Sequence, residues 1–384
     1  MKIGIDGSIF VFVGSGVANY SFNLVKNLLL IDKKNEYRIF YSSLRRPKNF
    51  YYLDELKKLG AKIYDYPFPP TLLRLWWGNC HLLPIEWFIG KVDFFFSSDF
   101  LRPPTNKRTK GITTIHDLTW KIFPQFHEDW IIKAHEKKLA KTIKYEDEII
   151  VDSLNTKKDL IKYYPEIDNK RINVLYPGIG KEFKIVDDKE RIINILKKYN
   201  ISFPSPQSPI PNPFLLYVGA IEPRKNLIRS IEVFNELIKD EKFANFNFII
   251  AGRAGWRKEN IFQKVNELKL QDKVRFIGFV EDEDLPYLYS AAKLTVYLSA
   301  YEGFGLPPLE SLVCGTKVIV GDNSSLRETI SPEFLVDLSD KNKILEKMKY
   351  LLNNKIKINS KEVQDRFNWK ESAKKFLRII YDIS

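Results

Sequence analysis

Two glutamates, Glu302 and Glu310, flank a Gly-Phe-Gly turn in the stretch SAYEGFGLPPLESLVCG, residues 299–315. Apolar, β-branched runs precede and follow this stretch, so the pattern predicts a strand, a loop, a helix and a strand in succession. The N–H groups of residues 303–306 would then surround a helix N-terminus, which is a natural site for an anion. We expect both carboxylates at the edge of that site. For the motif alone a structural interpretation stays open, because glutamates often cap helices and glycines often form turns.

A pair of cations, Arg224 and Lys225, occurs in YVGAIEPRKN, residues 217–226, between a strand that ends near Gly219 and a helix. Adjacent cations can neutralise a diphosphate leaving group without a metal ion, and they act most strongly as its negative charge grows. The alternative is a solvated charge pair. The dipole at a helix start disfavours cations, and this mismatch favours a functional role.

Two further candidates follow strand-like runs in the first half of the chain. His116 and Asp117 end the run GITTIHD. An isolated histidine is more often structural than catalytic, but the position of His116 at a strand tip beside Asp117 favours function. The loop with Gly14 and Gly16 superficially matches GxGxxG. Asn19 stands in place of the third glycine and the loop is long, so we expect no NAD.

Strand-like and helical patterns alternate along both halves of the chain, which predicts two doubly wound α/β domains. The strand-like runs are KIGIDGSI, YRIFYSS, AKIYDYP, VDFFFSS, GITTIHD, EIIVDS and INVLYPG, and then FLLYVG, FNFIIAG, VRFIGF, LTVYLS and KVIVG. The predicted helices cover residues 17–30, 53–59, 129–143, 157–163, 227–238, 259–268, 285–291, 307–313 and 361–382. The proline-rich stretch 203–214 is predicted to be an exposed insertion, because its prolines forbid helix and central strand.

The candidate residues share a position relative to these elements. Ligands of open α/β sheets collect at the carboxyl ends of the strands. The segments 14–16, 116–117, 219–225, 252–253 and 302–305 all fall at such ends. Two edges of this kind facing each other would form one cleft, so the sequence predicts a ligand site in two parts.

Composition narrows the class of protein. A chain of 384 residues exceeds one ordinary core, so two domains are expected. With 44% hydrophobic and 28% charged residues it is globular, and its apolar runs are too short to span a membrane. The start MKIGIDGSIF leads directly into a strand, so we expect no signal peptide. Cys80 and Cys314 lie far apart, which argues against a disulfide scaffold or structural zinc and favours the cytoplasm.

The formal net charge of +13 does not by itself select a partner. Nucleic acid, an anionic membrane surface and acidic small molecules all fit it. Many of the lysines follow helical spacing and predict a solvated helix face; these include Lys137, Lys138, Lys141 and Lys144.

Two segments resemble sites that we do not assign. Asp282-Glu-Asp284 matches the DxD metal motif of some glycosyltransferases, but it opens a helix, and capping with the helix dipole explains acidic residues there. We therefore expect no metal. The aromatic segment 68–90 could enter a membrane interface, with Arg74 and tryptophans as anchors, or pack on the surface of the first domain.

Taken together, these motifs resemble those of the family-4 glycosyltransferases. The signature S-x-x-E-G-F-G-L-P-x-x-E is present at residues 299–310, and the glycine loop, the His-Asp strand, YPGIGKEF, EPRKN and RFNWKESA extend the resemblance over nearly the whole chain. The resemblance implies a GT-B architecture of two facing Rossmann-like domains. We expect an acceptor-side domain at residues 1–184, a nucleotide-sugar-binding domain at 185–363, and a C-terminal helix at 364–384 that returns to the first domain.

The resemblance also implies roles for the residues of the second domain. Glu302 contacts the donor sugar or supports its developing charge, and Glu310 binds the ribose diol, which a carboxylate does through paired hydrogen bonds. Lys225 matches the family lysine, whereas Ala220 occupies the usual arginine position, so Arg224 is expected to supply the guanidinium. The remaining expected donor contacts are Gly219, Arg253, Gly303, Phe304, Gly305 and Leu306.

In the first domain, the resemblance implies that His116 contacts hydroxyls of the donor sugar. Asp117 either orients His116 or approaches the acceptor. The backbone N–H groups of the loop with Gly14 and Gly16 approach phosphate and acceptor.

The resulting hypothesis is a metal-independent, retaining hexosyltransferase without a cofactor. The EPRKN motif is similar to that of mannosyltransferases of surface-polysaccharide assembly, so GDP-mannose is the first choice of donor and a UDP-sugar the second. The acceptor would be a glycan or a lipid-linked glycan, reached in the cytoplasm, with peripheral contact to an anionic inner membrane face left open.

Two alternatives to this hypothesis are kept. One is an epimerase or phosphorylase with the same fold, and the other is a non-enzymatic binder, for example of nucleic acid. A nucleic-acid groove would line its basic residues with aromatics, whereas Arg224 and Lys225 occur with carboxylates, so we expect no nucleic acid.

Overall fold

The first strand of the chain, β1 (Lys2–Asp6), belongs to a seven-stranded parallel sheet in the computed structural model, which describes residues 1–44, 50–98, 100–201, 212–255 and 259–384. The other strands are β2 (Glu36–Ser42), β3 (Lys62–Tyr66), β4 (Phe94–Ser97), β5 (Lys110–Ile115), β6 (Glu148–Val151) and β7 (Ile172–Val174). Their order is β3-β2-β1-β4-β5-β6-β7. β4 is buried along its whole length, as expected for a strand covered on both faces.

Helices connect these strands. They are α1 (Gly16–Ile31), α2 (Tyr52–Lys58), α3 (Pro70–Leu73), α4 (Glu86–Ile89), α5 (Thr119–Ile122), α6 (Asp129–Lys144) and α7 (Leu154–Tyr163), with a π-helical segment at Arg74–Cys80 and 3-10 turns at Ser8–Val11, Pro124–Phe126 and Asn169–Arg171. α7 begins earlier than the predicted residue 157, because the hydroxyl of Ser153 accepts a hydrogen bond from the N–H of Thr156 and caps the helix.

A second, six-stranded parallel sheet follows, with the order β10-β9-β8-β11-β12-β13. Its strands are β8 (Phe214–Val218), β9 (Asn247–Ala251), β10 (Val274–Gly278), β11 (Leu294–Tyr297), β12 (Val318–Gly321) and β13 (Leu335–Val336). Its helices are α8 (Lys189–Lys198), α9 (Leu227–Leu237), α10 (Glu259–Glu267), α11 (Leu285–Ala291), α12 (Leu306–Val313), α13 (Leu326–Thr329), α14 (Lys341–Asn353) and α15 (Ser360–Arg366), with 3-10 turns at Pro223–Lys225, Glu241–Phe243 and Pro332–Phe334.

The last helix, α16 (Trp369–Asp382), packs against α1. The chain accordingly divides into two compact units, which we call unit 1 (Met1–Gly178 with Asn368–Ser384) and unit 2 (Ile179–Phe367). Trp369 and Phe376 of α16 join the core of unit 1 that also contains Ile3 and Leu24. The predicted single helix over 361–382 is therefore wrong, because the chain breaks between α15 and α16, where the side chain of Asn368 caps the second helix.

Two other expectations about charged residues are corrected. Lys138 and Lys141 do not lie on a solvated face: Lys138 is buried and donates to the carbonyl of Thr114, and Lys141 donates to the carbonyls of the π-helical segment. Asp284 does not cap α11 with its side chain. Its carboxylate instead accepts from Lys198 at 2.6 Å and from the hydroxyl of Tyr199 at 2.8 Å.

The aromatic segment 68–90 packs on the first sheet. Trp77 is buried against Phe40, with ring centroids 5.0 Å apart, and the same cluster contains Phe95 of β4. Leu82 and Trp87 of this segment remain exposed. Within the described residues, no helix is both long enough and apolar enough to cross a membrane. Residues 203–211 of the predicted insertion at 203–214 lie outside the described residues.

Candidate active site

In unit 2 the candidate residues follow strands that are neighbours in the sheet. β8 pairs with β11 in parallel, so the loops after these two strands leave the same edge. Arg224 and Lys225 lie in the 3-10 turn Pro223–Lys225 after β8, and Glu302 lies in the loop after β11. The backbone carbonyl of Arg224 accepts from the N–H of Ala300 at 2.9 Å, which joins the two loops.

Glu302 bridges the two cations. Its Oε1 accepts from the Nζ of Lys225 at 2.6 Å, and its Oε2 accepts from the Nη1 of Arg224 at 3.1 Å. The same guanidinium donates through Nη2 to the Oε1 of Glu222 at 2.8 Å, and Lys225 also donates to the hydroxyl of Tyr297 at 3.0 Å. Lys225, Glu302 and Glu222 are buried. Two cations and two carboxylates therefore form one buried, charge-balanced cluster.

The electrostatics of this cluster favour the ionised carboxylate. Burial alone would raise the pKa of Glu302, but Lys225 and Arg224 outweigh it and hold that pKa at about 2. Burial lowers the pKa of the Lys225 amine, and the neighbouring Arg224 charge lowers it further. Charge is thus concentrated at a site with little water, where electrostatic interactions are strong.

Glycines allow the backbone to approach closely at this edge of the sheet. Gly252, after β9, has a φ of +145°, and a Cβ at this position would lie 1.8 Å from the carbonyl oxygen of Gly219. The N–H of Gly252 donates to the carbonyl of Gly278 at 2.7 Å. The next residue, Arg253, is exposed and its guanidinium lies over the ring of Phe279 at 4.4 Å. Among the described interactions, Arg253 makes no contact with the Glu302 cluster.

The loop before α12 presents backbone N–H groups. Gly305 has a φ of +92° at the N-cap position, a left-handed conformation that favours glycine. Among the described residues, nothing accepts a hydrogen bond from the N–H groups of Gly303, Gly305 and Leu306. The hydroxyl of Ser325 donates to the carbonyls of Glu302 and Phe304, both at 2.9 Å, and holds the loop in place. The predicted anion site at this helix start therefore has its donors available.

Glu310 lies in α12, and its Oε2 accepts from the hydroxyl of Tyr289 at 2.9 Å. Burial, with smaller contributions from the nearby Asp282 and Glu182, raises the pKa of Glu310 to about 8 against the hydrogen bond from Tyr289. This carboxyl is therefore largely protonated at neutral pH without a ligand. A ligand that donates hydrogen bonds to it would favour its ionised form.

In unit 1 the candidate histidine has a partner that the sequence interpretation missed. The Nδ1 of His116 lies 2.7 Å from the Oδ2 of Asp152, and its Nε2 lies 3.1 Å from the carbonyl oxygen of Ser98. Asp117 makes no hydrogen bond to His116 and instead accepts from the N–H and hydroxyl of Thr119. Burial would lower the pKa of His116, but the charge and hydrogen bond of Asp152 raise it overall.

The glycine loop of unit 1 starts α1. Gly14 has a φ of +78°, and Ser15 caps the helix by accepting from the N–H of Ala18 at 3.2 Å. Gly16 is the first helical residue and has open space where a Cβ would stand.

Two functional candidates escaped the sequence interpretation for different reasons. Asp152 directly follows β6 in the run EIIVDS, so its position at a strand end was a usable signal. Glu222 falls in the segment 219–225 at a strand end, but no pattern in the sequence showed that the 3-10 turn brings its side chain to Arg224. His116, Asp117, Gly14 and Gly16 belong to unit 1, and the other predicted site residues belong to unit 2.

Two sheets of parallel strands with helices between the strands are the architecture of the GT-B fold. Sucrose-phosphate synthase (tll1590) from Thermosynechococcus elongatus has this fold, with a TM-score of 0.73 at 18% identity, over 100% of this chain and 99% of that one. Anabaena Alr3699/HepE in complex with UDP-glucose matches with a TM-score of 0.71 at 13% identity, over 100% of both chains.

Residues 199–376 match the model of the family Glycosyl transferases group 1. The protein is thus an enzyme, a glycosyltransferase. It is 26% identical to O-antigen chain mannosyltransferase B of Escherichia coli over 327 residues, 84% of this chain and 82% of that protein. It is 29% identical to the serotype-specific mannosyltransferase WbdA of Escherichia coli over 68% of this chain, a match that spans only 32% of WbdA.

Proposed function

We propose that the enzyme is a retaining, metal-independent glycosyltransferase that moves a mannosyl group from GDP-mannose to a glycan or lipid-linked glycan acceptor. The names of its relatives, O-antigen chain mannosyltransferase B and WbdA, support mannose as the sugar. Retention and metal independence are taken from the resemblance to family-4 enzymes. Free Cys80 and Cys314 suit a reducing cytoplasm, where we place the reaction.

One observation carries the proposal, namely that Arg224 and Lys225 converge on the carboxylate of Glu302. Cations that can hold a carboxylate can also hold phosphate oxygens, and guanidinium does so with paired hydrogen bonds. We propose that the donor diphosphate takes over the two cations. Glu302 then turns to the sugar, where it accepts from hydroxyls or stabilises positive charge at the anomeric carbon.

In this scheme the bond between the anomeric carbon and the diphosphate oxygen breaks with its electron pair on the oxygen. The negative charge that develops there is stabilised by Arg224, Lys225 and the N–H groups of Gly303 to Leu306 at the start of α12. The acceptor hydroxyl oxygen forms the new bond to the anomeric carbon and gives its proton to the departing diphosphate oxygen. Because Ser325 holds the loop and the diphosphate already lies against the two cations, little reorganisation is needed as the charge grows.

The other residues have supporting roles in the proposal. Glu310 binds the ribose diol in its ionised form, Gly219 lets the backbone approach the diphosphate, and Arg253 contributes charge at the same edge. In unit 1, His116, positioned by Asp152, contacts sugar hydroxyls. Asp117 lies on the acceptor side, and Gly14 and Gly16 offer backbone N–H groups to phosphate and acceptor.

A thermal-shift panel of GDP-, UDP- and ADP-sugars tests the donor site. Binding to the folded state raises the melting temperature by mass action, and we expect the largest rise with GDP-mannose. Glu310→Ala should lose the response, whereas Glu346→Ala, which removes an exposed glutamate from α14, should keep it. The absence of a shift with every nucleotide sugar would refute the proposal. A larger shift with a UDP-sugar than with GDP-mannose would identify a UDP-sugar as the donor.

Product analysis separates transfer from the alternatives with the same fold. A transferase releases nucleoside diphosphate in amounts that depend on an acceptor, and EDTA should leave the rate unchanged. An epimerase would change the sugar without releasing nucleotide. A phosphorylase would require inorganic phosphate in place of the acceptor.

A further inference from the structure

A second charged site lies in unit 1, within a cavity of about 230 Å³ beside α6. Its walls come from α6, from the π-helical segment Arg74–Cys80 and from the residues that follow β4. Six cationic side chains line it: Arg74, Arg102, Lys133, Lys137, Lys138 and Lys141. None of the described lining residues is acidic.

Most of this positive charge is not neutralised by the protein. Arg102 is paired with Asp147, with Nη2–Oδ1 and Nε–Oδ2 distances of 2.6 and 3.0 Å. In the part of the chain that the structure describes, Arg74, Lys133 and Lys137 make no ion pair with a carboxylate, and neither does Lys141. A concentration of like charge destabilises the folded state unless an anion compensates it.

The pKa of Lys141 shows the same imbalance. Burial, together with the charges of Lys137 and Arg102, lowers this pKa to about 8. No described carboxylate opposes the effect. An anion in the cavity would stabilise the charged form of Lys141, as an opposite charge does at such distances.

Neutral groups hold two of these ammonium groups in fixed positions. Lys137 donates to the side-chain oxygen of Asn79 at 2.7 Å, and Lys141 donates to the carbonyl of Gly78 at 2.9 Å. Such partners orient the cations but leave their charge in place. The remaining donor capacity of each ammonium group, which has three N–H bonds, can serve a ligand.

The geometry points to a binding site for the phosphate or diphosphate group of a ligand. A cavity of about 230 Å³ is smaller than the roughly 300–1,000 Å³ that encloses a drug-sized molecule, so it fits an anionic group rather than a whole nucleotide sugar. Several cations in so small a space suit a multiply charged anion better than one carboxylate. Phe100 and Trp130, with ring centroids 6.4 Å apart, give the ligand an aromatic surface next to the charge.

This site lies wholly in unit 1 and does not depend on the donor chemistry proposed for unit 2. Two sources could supply the phosphate: a free phosphorylated molecule or the head group of a membrane lipid. The chemistry is shared, and the experiment separates the sources.

Calorimetric titration of the protein with pyrophosphate tests the site, at about 0.1 M salt and with saturating GDP to occupy the donor site of unit 2. A flotation assay tests vesicles of phosphatidylcholine with phosphatidic acid, whose phosphate monoester carries up to two charges. The test variant is Lys133→Gln with Lys137→Gln, both exposed and lining the cavity. The control with equal net charge is Lys144→Gln with Lys162→Gln, both exposed and not among the lining residues. GDP binding is measured on all three proteins.

We expect the test variant to bind pyrophosphate, the vesicles or both at least tenfold more weakly than the wild type, and the control to stay within twofold. Retained GDP binding in the test variant would separate this site from the donor site. Loss of pyrophosphate binding alone identifies a free phosphorylated ligand, and loss of vesicle binding alone identifies a lipid head group. Equal losses in test and control, or no binding of either probe by the wild type, would overturn the proposal. Absence of GDP binding would count only against the proposed donor chemistry.

Discussion

At the scale of single residues, the carboxylate of Glu302 is shared between Arg224 and Lys225, and Glu222 also accepts a hydrogen bond from Arg224. The spacing of Arg224, Lys225 and Glu302 with respect to strand ends was sufficient to place them at one edge of a sheet. It could not show that Glu302 is shared between both cations, since that depends on side-chain conformations that no local pattern fixes. The carboxylate therefore holds the cations in the positions that we assign to the diphosphate.

Glu302→Gln is expected to destabilise the protein and strengthen its response to nucleotide. Removing one partner of a buried ion pair leaves uncompensated charge at Lys225 and Arg224, and we expect a loss of about 3 kcal/mol in the free energy of unfolding. GDP supplies the missing negative charge, so it should raise the melting temperature of the variant more than that of the wild type. Thermal unfolding with and without GDP measures both effects.

The control is Glu267→Gln, which breaks the surface pair with Lys264 and should leave the free energy of unfolding close to that of the wild type. A Glu302→Gln protein as stable as the wild type, or one with no larger response to GDP, would contradict the assigned competition between Glu302 and the diphosphate.

Glu310 makes the stability depend on pH. Its pKa is about 8 in the folded protein and ordinarily 4.5, so between these values the folded chain keeps a proton that the unfolded chain has lost. The contribution of Glu310 to the free energy of unfolding is thus most favourable at low pH, and it falls as the pH rises toward 8. We expect the free energy of unfolding to fall by about 2 kcal/mol from pH 5 to pH 8. This is less than the 1.36 kcal/mol per pKa unit of full linkage, because water reaches part of the side chain.

Glu310→Gln should abolish this part of the pH dependence, as measured by denaturant unfolding at several pH values. Other carboxyl groups contribute equally to both proteins, so only the difference between wild type and variant is informative. A constant difference from pH 5 to pH 8 would show that Glu310 has an ordinary pKa.

At the scale of elements, the predicted strands and most longer helices of the described residues match the structure, because period and flanking residues determine them locally. Strand β13 and the helices α8 and α14 were not predicted, and two predictions are wrong where a local cap or a tertiary contact decides. The break between α15 and α16 follows from Asn368, whose capping competes with an otherwise continuous helical pattern. The lysines of α6 have the spacing of a solvated face, yet Lys138 turns inward because the carbonyl of Thr114 is within its reach.

The approach of the loops after β8 and β9 depends on a glycine. Gly252→Ala would place a Cβ 1.8 Å from the carbonyl oxygen of Gly219, a backbone atom that cannot move aside, and we expect a loss of more than about 3 kcal/mol. Gly278→Ala is the matched control: its φ is +73°, and nothing lies within 4 Å of the new methyl group. The control should lower the free energy of unfolding by only about 1 kcal/mol, because an alanine in a left-handed conformation strains the backbone. Equal losses in urea unfolding would show that the close approach does not limit the fold.

At the scale of the whole molecule, unit 1 is made from two separated parts of the chain, and α16 supplies part of its core. The domain limits 1–184, 185–363 and 364–384 remain a prediction from the sequence. The return of the last helix could be expected only from the family resemblance, because its amphipathic pattern shows that one face is buried without showing against what.

Phe376→Ala should destabilise unit 1 without destabilising unit 2. The ring is buried and lies 5.1 Å from the ring of Phe96, and its removal leaves a cavity that we expect to cost about 3–5 kcal/mol. Hydrogen exchange should accelerate in β1 and β4, while the amides of β8 and β9 keep their protection. Arg378→Ala, an exposed change on the same helix, should leave both sets unchanged. Equal acceleration in both sheets would mean that the two units unfold as one.

The placement of α16 also has a consequence for biosynthesis. A ribosome synthesises Ile179–Phe367 in full before it synthesises Trp369 and Phe376, although the latter two residues complete the core formed by Ile3 and Leu24. Unit 2 can therefore fold during synthesis while unit 1 still exposes the face of α1 against which α16 packs in the complete protein. During that interval unit 1 exposes the apolar surface to which a chaperone would bind.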